Sequence, residues 1–204
     1  SLLVGMMTIV GISEKSGMFQ YVAIWGVQRV KANPRGLLLV LAVVTAVFSA
    51  FLDNVTTVLL IAPVTFKITQ KLNINPYPYL LLEIFASNIG GTATLIGDPP
   101  NILIGSSLNL SFMDFVKELT PVVVITMAVL ILAFDLVYHK RIQTTLRHQV
   151  EVMKIRAGDS ITDKSLLIKS LIVLFMVIGG FISAEHLHIA NGTIAIFGAT
   201  VLLL

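Results

Sequence analysis

Two aspartates stand out because of what surrounds them. Asp53, followed by Asn54, interrupts an apolar run that extends from Gly36 to Leu52 and resumes from Val55 to Phe66. Asp98 closes the stretch Ser87-Asn88-Ile89-Gly90-Gly91-Thr92-Ala93-Thr94-Leu95-Ile96-Gly97-Asp98-Pro99-Pro100-Asn101. Its glycines and prolines are incompatible with a continuous helix. Each aspartate has a carboxamide close by, Asn54 or Asn101, and hydroxyls within a few residues: Thr56 and Thr57, then Ser87, Thr92 and Thr94. Carboxamide, hydroxyl and unwound carbonyl oxygens are ligands suited to Na⁺, while exposed helix N-termini attract anions. Either aspartate can carry a coupling proton or help neutralise a bound cation. The candidate ligand set is Asp53, Asn54, Thr56, Thr57, Ser87, Asn88, Gly90, Gly91, Thr92, Gly97, Asp98 and Asn101. Within it, Asn54, Asn88 and Asp98 are the candidates for Na⁺.

Composition says where these residues sit. Hydrophobic residues make up 56% of the 204 and charged residues 12%, against roughly 45–50% and about 25% in soluble domains. The mean hydropathy is +0.92. A soluble globule of this size cannot hide so many apolar side chains, so the chain reads as an all-α polytopic membrane protein. Ionisable residues at membrane depth are costly, and are functional candidates by default. The net charge of +3 is too mild and too spread for nucleic acid, and the absence of Cys excludes disulfides, thiolate metal sites and a cysteine nucleophile.

The aspartates need elements to hold them. A crossing takes about 20 apolar residues. Residues 2–12 are too short and read as the tail of a truncated crossing. Residues 16–32 mix Phe19, Tyr21 and Trp25 with Gln20, Gln28, Arg29 and Lys31, which suits a helix lying in the interface. Residues 36–66 have basic residues at both ends, Arg35 before and Lys67 and Lys71 after. The positive-inside rule then puts both ends in the cytoplasm, and a re-entrant hairpin with Asp53-Asn54 at its tip fits best; the rival is two short crossings with Asp53-Asn54 outside. Residues 78–105 form a broken helix, because unwound backbone at that depth must be buried in protein or line a cavity.

The remainder is plainer. Residues 119–138 form a crossing, 139–165 a charged cytoplasmic linker, 166–184 a return crossing, 185–192 a short external loop, and the last residues a further crossing. The chain starts at Ser1, runs at once into apolar Leu2-Leu3-Val4 and stops within Val201-Leu202-Leu203-Leu204. It reads as a window cut from a larger membrane protein. Glu83, near the inner end of the broken helix, is a weaker functional candidate, and Asp135 reads as a solvated end charge.

The hairpin and broken-helix stretches resemble a known group. Phe51-Leu52-Asp53-Asn54-Val55-Thr56-Thr57, running on to Ala62-Pro63-Val64-Thr65, is similar to a signature of the ion-transporter superfamily, as is the stretch from Ser87 to Asn101. That superfamily holds arsenite/antimonite permeases, the melanosomal P protein, D-type Na⁺/H⁺ antiporters, citrate transporters and dicarboxylate symporters. The resemblance covers residues 1–140 well. It implies two inverted repeats, each with a re-entrant hairpin and a discontinuous helix, and often a homodimer. It also implies a substrate held between tip and break and moved by an elevator-like displacement. On that reading residues 1–138 are the first repeat, 139–165 the linker and 166–204 the start of the second.

Two departures from the dicarboxylate pattern matter: Asp53 replaces a Ser, and Asp98 replaces a small hydroxyl residue. Negative charge at both tips disfavours a multiply charged carboxylate and suits a cation, a proton or a neutral oxyacid such as arsenous acid. The expected activity is therefore secondary transport coupled to H⁺ or Na⁺, arsenite-efflux-like or Na⁺/H⁺-antiport-like. A citrate-like anion symporter is the alternative.

Other classes fit less well. An intramembrane aspartyl protease would carry Gly-x-Gly-Asp, whereas the four residues here are Leu95-Ile96-Gly97-Asp98. A channel or a non-transporting scaffold would use the same elements. No P-loop is present, so any ATP would come through a separate ATPase subunit. No enzyme activity and no cofactor beyond the coupling ion is expected. Glu185-His186-Leu187-His188 is too bland for a metal site, and Asn109-Leu110-Ser111 and Asn191-Gly192-Thr193 fit glycosylation sequons on outside loops.

Overall fold

The computed structural model describes residues 2–108, 110–187 and 189–203, with only the backbone of 185–187. His188, the side chains of Glu185 and His186, and Asn109 of the first sequon lie outside the described residues. What is described is all-helical. The elements are α1 Leu2–Lys15, α2 Met18–Arg29, α3 Pro34–Ser49, α4 Asn54–Leu72, α5 Tyr77–Gly91, α6 Pro99–Leu108, α7 Phe112–Tyr138, α8 Leu146–Met153, α9 Lys164–Leu187 and α10 Asn191–Leu203.

Local signals set most boundaries. Asn33 caps α3 by accepting from the Arg35 N–H at 3.0 Å, and Pro34 occupies the first helical position, where its missing N–H costs nothing. Asp53 Oδ1 accepts from the Thr56 N–H at 2.9 Å and caps α4. Asn73, in the left-handed region at φ 53°, ends α4. Ser111 and Asp114 form a reciprocal capping box that starts α7 seven residues before the expected residue 119.

The cross-helix contacts fix directions. The Tyr79 hydroxyl donates to the Pro34 carbonyl at 3.1 Å, and the Ser49 hydroxyl donates to the Ser87 carbonyl at 2.6 Å. Thus α3 and α5 run parallel, start beside start and end beside end. Asn54 meets Asn88 at 2.8 Å while Thr65 bonds Glu83, so α4 runs antiparallel to α5 and hence to α3. α3 and α4 are the two arms of a hairpin whose tip is Ala50–Asp53. Its base holds Arg35, whose Nε is 3.6 Å from Asp135 Oδ1, and Leu72, whose carbonyl accepts from Thr144 at 2.5 Å. Asp135, expected as a solvated end charge, lies partly exposed beside Arg35.

Three apolar clusters result. One joins α2–α5 with one face of α7, through residues such as Ile24, Leu38, Leu41, Ile61, Leu82 and Met127. A second joins α1, α9 and α10 to Leu95, Ile96, Phe112 and Phe115. A third, Val10, Met18, Phe19, Leu52 and Leu60, packs α1 and α2 on the hairpin tip and α4. The opposite face of α7 leaves Val122, Val124, Ile125, Val129, Leu132 and Leu136 exposed, the pattern of a helix solvated by lipid. α4, α7 and Lys164–Ala184 of α9 are each long and apolar enough to cross a membrane, and α1 with α2 makes a fourth if that pair, bent by 63°, is one span.

Several boundaries differ from the sequence reading. α4 continues to Leu72, past residue 66, because Thr65, Ile68, Thr69 and Leu72 keep a buried face. The 139–165 segment holds only the eight-residue α8 and a short 3₁₀ turn at Ala157–Ser160. α2 buries Phe19, Ala23, Ile24 and Val27 against neighbours, with Phe19 edge-on to Phe48 at 4.9 Å. Its outer face keeps Trp25 exposed under the Arg29 guanidinium, 4.7 Å from the ring centroid.

α3 and α5 touch backbone to backbone. A Cβ placed on Gly90 would lie inside the backbone of Ala46. Gly90→Leu should therefore separate these helices and cost about 1–3 kcal/mol or more, as overpacking does. Gly179→Ala, where a Cβ meets nothing within 4 Å, should be neutral. Thermal unfolding of the detergent-solubilised full-length protein would show a lowered transition for the first variant alone.

Candidate functional site

The tip of the hairpin and the break between α5 and α6 lie side by side. Chain unwinds in two places here, and its backbone groups need partners. Thr94 supplies one by bonding the Ala50 carbonyl across the gap. Asn101 supplies more: its Nδ2 faces the carbonyls of Gly91 and Thr94, at 3.3 and 2.9 Å. Thr120 reaches the Ala93 carbonyl at 3.3 Å from α7. Gly97 packs on the carbonyls of Gly91 and Ser49, and a Cβ would come within 2.7 Å of the latter. The break is thus a hydrogen-bonded loop seated on the end of α3.

The two aspartates occupy equivalent positions. Asp53 caps α4, and the Asp98 carbonyl accepts the first backbone bonds of α6, from Asn101 at 3.0 Å and Ile102 at 3.4 Å. Each carboxyl therefore stands at a helix N-terminus, where the partial positive charge of unpaired N–H groups favours an anion. Both face one cavity of about 540 Å³, walled on its far side by α1. Asn54 and Thr56 line it with them. No cluster of three or more His, Cys, Asp or Glu that could hold a metal ion occurs among the described residues.

The remaining predicted residues divide. Asn88 is tied to the site through Asn54, whose Nδ2 donates to Asn88 Oδ1, while Asn88 Nδ2 donates to the Ile84 carbonyl at 2.7 Å. Thr92 lies with Asn88 on a smaller cavity against α7, and its hydroxyl donates to the Ile89 carbonyl. Thr57 is fully buried and spends its hydroxyl on the Asp53 carbonyl at 3.0 Å. Ser87 is also buried, donating to the Ile84 carbonyl at 3.0 Å. Gly90, Gly91 and Gly97 are buried and set the approach of backbone to backbone. The structure brings Asp53, Asn54, Thr56 and Asp98 onto one cavity and gives Thr57, Ser87 and Asn101 hydrogen-bonding duties behind it.

Sequence reasoning missed Glu14. It lies in the last turn of α1 and lines the same cavity as Asp53 and Asp98. Nothing local links it to residues some forty positions on; only the packing of α1 across the tip does. Ser49, which ties α3 to Ser87, was missed for the same reason.

The model of the citrate transporter family CitMHS matches residues 1–204. The chain belongs to that family. It is 45% identical over 202 residues to an uncharacterized transporter of Mycobacterium tuberculosis, covering 99% of this chain and 47% of that protein. A 46 kDa membrane protein of Mycobacterium leprae is 44% identical over 202 residues, with the same coverage. The human P protein is 36% identical over 170 residues, 77% of this chain and 20% of its own. The chain spans about half the length of its mycobacterial relatives. Within the family it is an integral, multi-pass membrane protein.

Asn101 gives a test of how the break is held. Asn101→Ala removes the donor from carbonyls beside a residue only 8% exposed, and orphaned buried acceptors cost about 1–3 kcal/mol. The same thermal measurement should show that loss. Thr92→Ala, at an exposed hydroxyl, should leave stability within about 0.5 kcal/mol of wild type.

Proposed function

We propose that this chain forms part of a secondary active transporter that moves a small solute across the membrane in exchange for, or together with, H⁺ or Na⁺. The observation that carries the reading is the pair of helix N-termini, α4 and α6, each headed by an aspartate and opening on one cavity. Discontinuous helices meeting near mid-membrane are how such transporters build their sites. The solute is a small cation, a proton or a neutral oxyacid. The electrostatic reason is direct: the chain's own carboxylates already occupy the two anion-favouring N-termini.

Asn54 and Asn88, joined by their amides, and Asp98 are the ligands proposed for Na⁺. Movement would follow an elevator course, with α3–α6 as the displaced unit and α1, α9 and α10 as part of the support. The apolar core that α3, α4 and α5 share favours moving them as one unit. α2, with Trp25 and Arg29 on its outer face, suits the interfacial role proposed for it. Residues 1–138, 139–165 and 166–204 would be first repeat, linker and start of the second repeat, in a homodimer. Transport rather than an enzyme reaction is the activity this reading assigns to the polar groups that line the cavity.

The family description favours a second substrate class, citrate. A tricarboxylate at two aspartates would need its charge offset by a co-bound cation.

The deciding experiment uses the full-length protein in proteoliposomes with a pH-sensitive dye inside. Na⁺, Li⁺, arsenite or citrate is added outside in turn, for wild type, Asp53→Asn and Asp98→Asn. A lumenal pH change driven by Na⁺ or Li⁺ and lost in both variants is the expected result. A response to arsenite alone would mean metalloid export, and a response to citrate alone would mean the second reading. Unchanged transport in both variants would make the aspartates helix caps only.

A further inference from the structure

One carboxyl group is left over by the site just described. Glu83 lies in α5 between the hairpin base and the tip, and no part of it is exposed. Its Oε1 accepts from the Thr65 hydroxyl, and its Oε2 is buried with no hydrogen-bond partner. A carboxylate with one hydroxyl donor and one bare oxygen is an expensive thing to enclose; a carboxylic acid is far less so. Nearby groups supply no compensating charge. On α5 the neighbouring titratable group is Tyr79, whose hydroxyl is bonded to the Pro34 carbonyl. From α4 the buried polar neighbours are hydroxyls, Thr65 and Thr69, while Lys67 and Lys71 are exposed. From α3 comes no charge at this level, since Arg35 is exposed at the base, and from α7 Asp135 turns to Arg35.

Glu83 is also not isolated from the tip. It belongs to a buried run of polar groups, from Thr69 and Thr65 through Glu83 to Ser87 and Ser49. Ser87 is one helical turn further along α5, and Asn88 is five residues away, about 7.5 Å of helix rise. Glu83 is the ionisable member of that run.

We propose that Glu83 is a proton-binding site of the transport cycle, separate from the two tip aspartates. This rests on the transport reading above and gives the coupling proton its own carrier. With the hairpin packed as seen here, Glu83 holds its proton and shares a hydrogen bond with Thr65. When the hairpin moves and water reaches the buried run, the O–H bond breaks, the proton passes to water and the carboxylate keeps the electron pair. The −1 charge so created is offset by one monovalent cation arriving at Asn54, Asn88 and Asp98. Return of the proton from water reverses both steps.

The test uses the full-length protein in lipid, and two variants. Glu83→Gln keeps the shape and an acceptor for Thr65 but has no proton to release; Thr65→Val removes the hydroxyl and leaves the carboxyl. Infrared difference spectra across the neutral range should show a carboxylic-acid carbonyl band that is lost in Glu83→Gln and shifted in Thr65→Val. In proteoliposomes, Glu83→Gln should still bind and exchange the transported solute, with proton flux abolished and the pH dependence of exchange flattened. Absence of the infrared band from the wild type, or a wild-type pH profile in Glu83→Gln, would overturn the proposal. The band needs no transport to be seen. A protein that shows the Glu83 band yet moves none of Na⁺, Li⁺, arsenite or citrate would sink the transport reading while leaving the proton site standing.

Discussion

Backbone unwound at membrane depth cannot turn to water for hydrogen bonds, and that constraint shapes the part of the chain between Pro34 and Leu108. The tip at Ala50–Asp53 and the break at Thr92–Asp98 both expose peptide groups in a place where each orphan costs several kcal/mol. The structure answers by pressing the two irregular segments together. Gly90 lets the α5 backbone touch Ala46 of α3, and Gly97 seats on the end of the same helix. Ser49 and Thr94 then bond across, and Asn101 faces carbonyls of the break. Small residues are required because a single Cβ would hold the strands of this knot apart.

That close packing has an electrostatic result. Satisfying the break with Asn, Thr and Ser leaves the N-termini of α4 and α6 on one cavity. Their partial positive charges are met by Asp53 and Asp98 from the chain itself. On the reading proposed above, such a pair favours cations and protons over anions. The family's description and the local charge thus pull in different directions on substrate.

The apolar clusters meet around the tip. The hairpin and α5 share one, α1, α9 and α10 share another with Leu95 and Ile96 of the break, and a third joins Val10, Met18 and Phe19 to Leu52 and Leu60. The cavity with both aspartates is lined from α1, the tip and the break. The segment between α8 and α9 ties back to α2 and to the turn after α1: Gln28 donates to the Ile155 carbonyl, and the Ser16 carbonyl accepts from the Thr162 N–H at 3.1 Å.

The sequence by itself determined the all-helical membrane class, through its composition, and located both irregular segments, because Gly, Pro and Asp in an apolar run are local signals. It also singled out Asp53, Asn54, Thr56 and Asp98, which do share a cavity. Helix lengths were less legible: the Ser111-to-Asp114 box that starts α7 is a local signal that apolar-run length passes over, and the continued burial of α4 to Leu72 depends on tertiary contacts. Only the tertiary structure decided which polar groups look into the cavity and which are consumed behind it. Asn101 and Thr57 have the right chemistry for ligands, yet one faces backbone carbonyls and the other donates to one, because hydrogen bonds form between neighbours in space. Glu14 entered, and Glu83 gained its enclosed position, for the same reason: helix packing joins residues that no spacing along the chain connects.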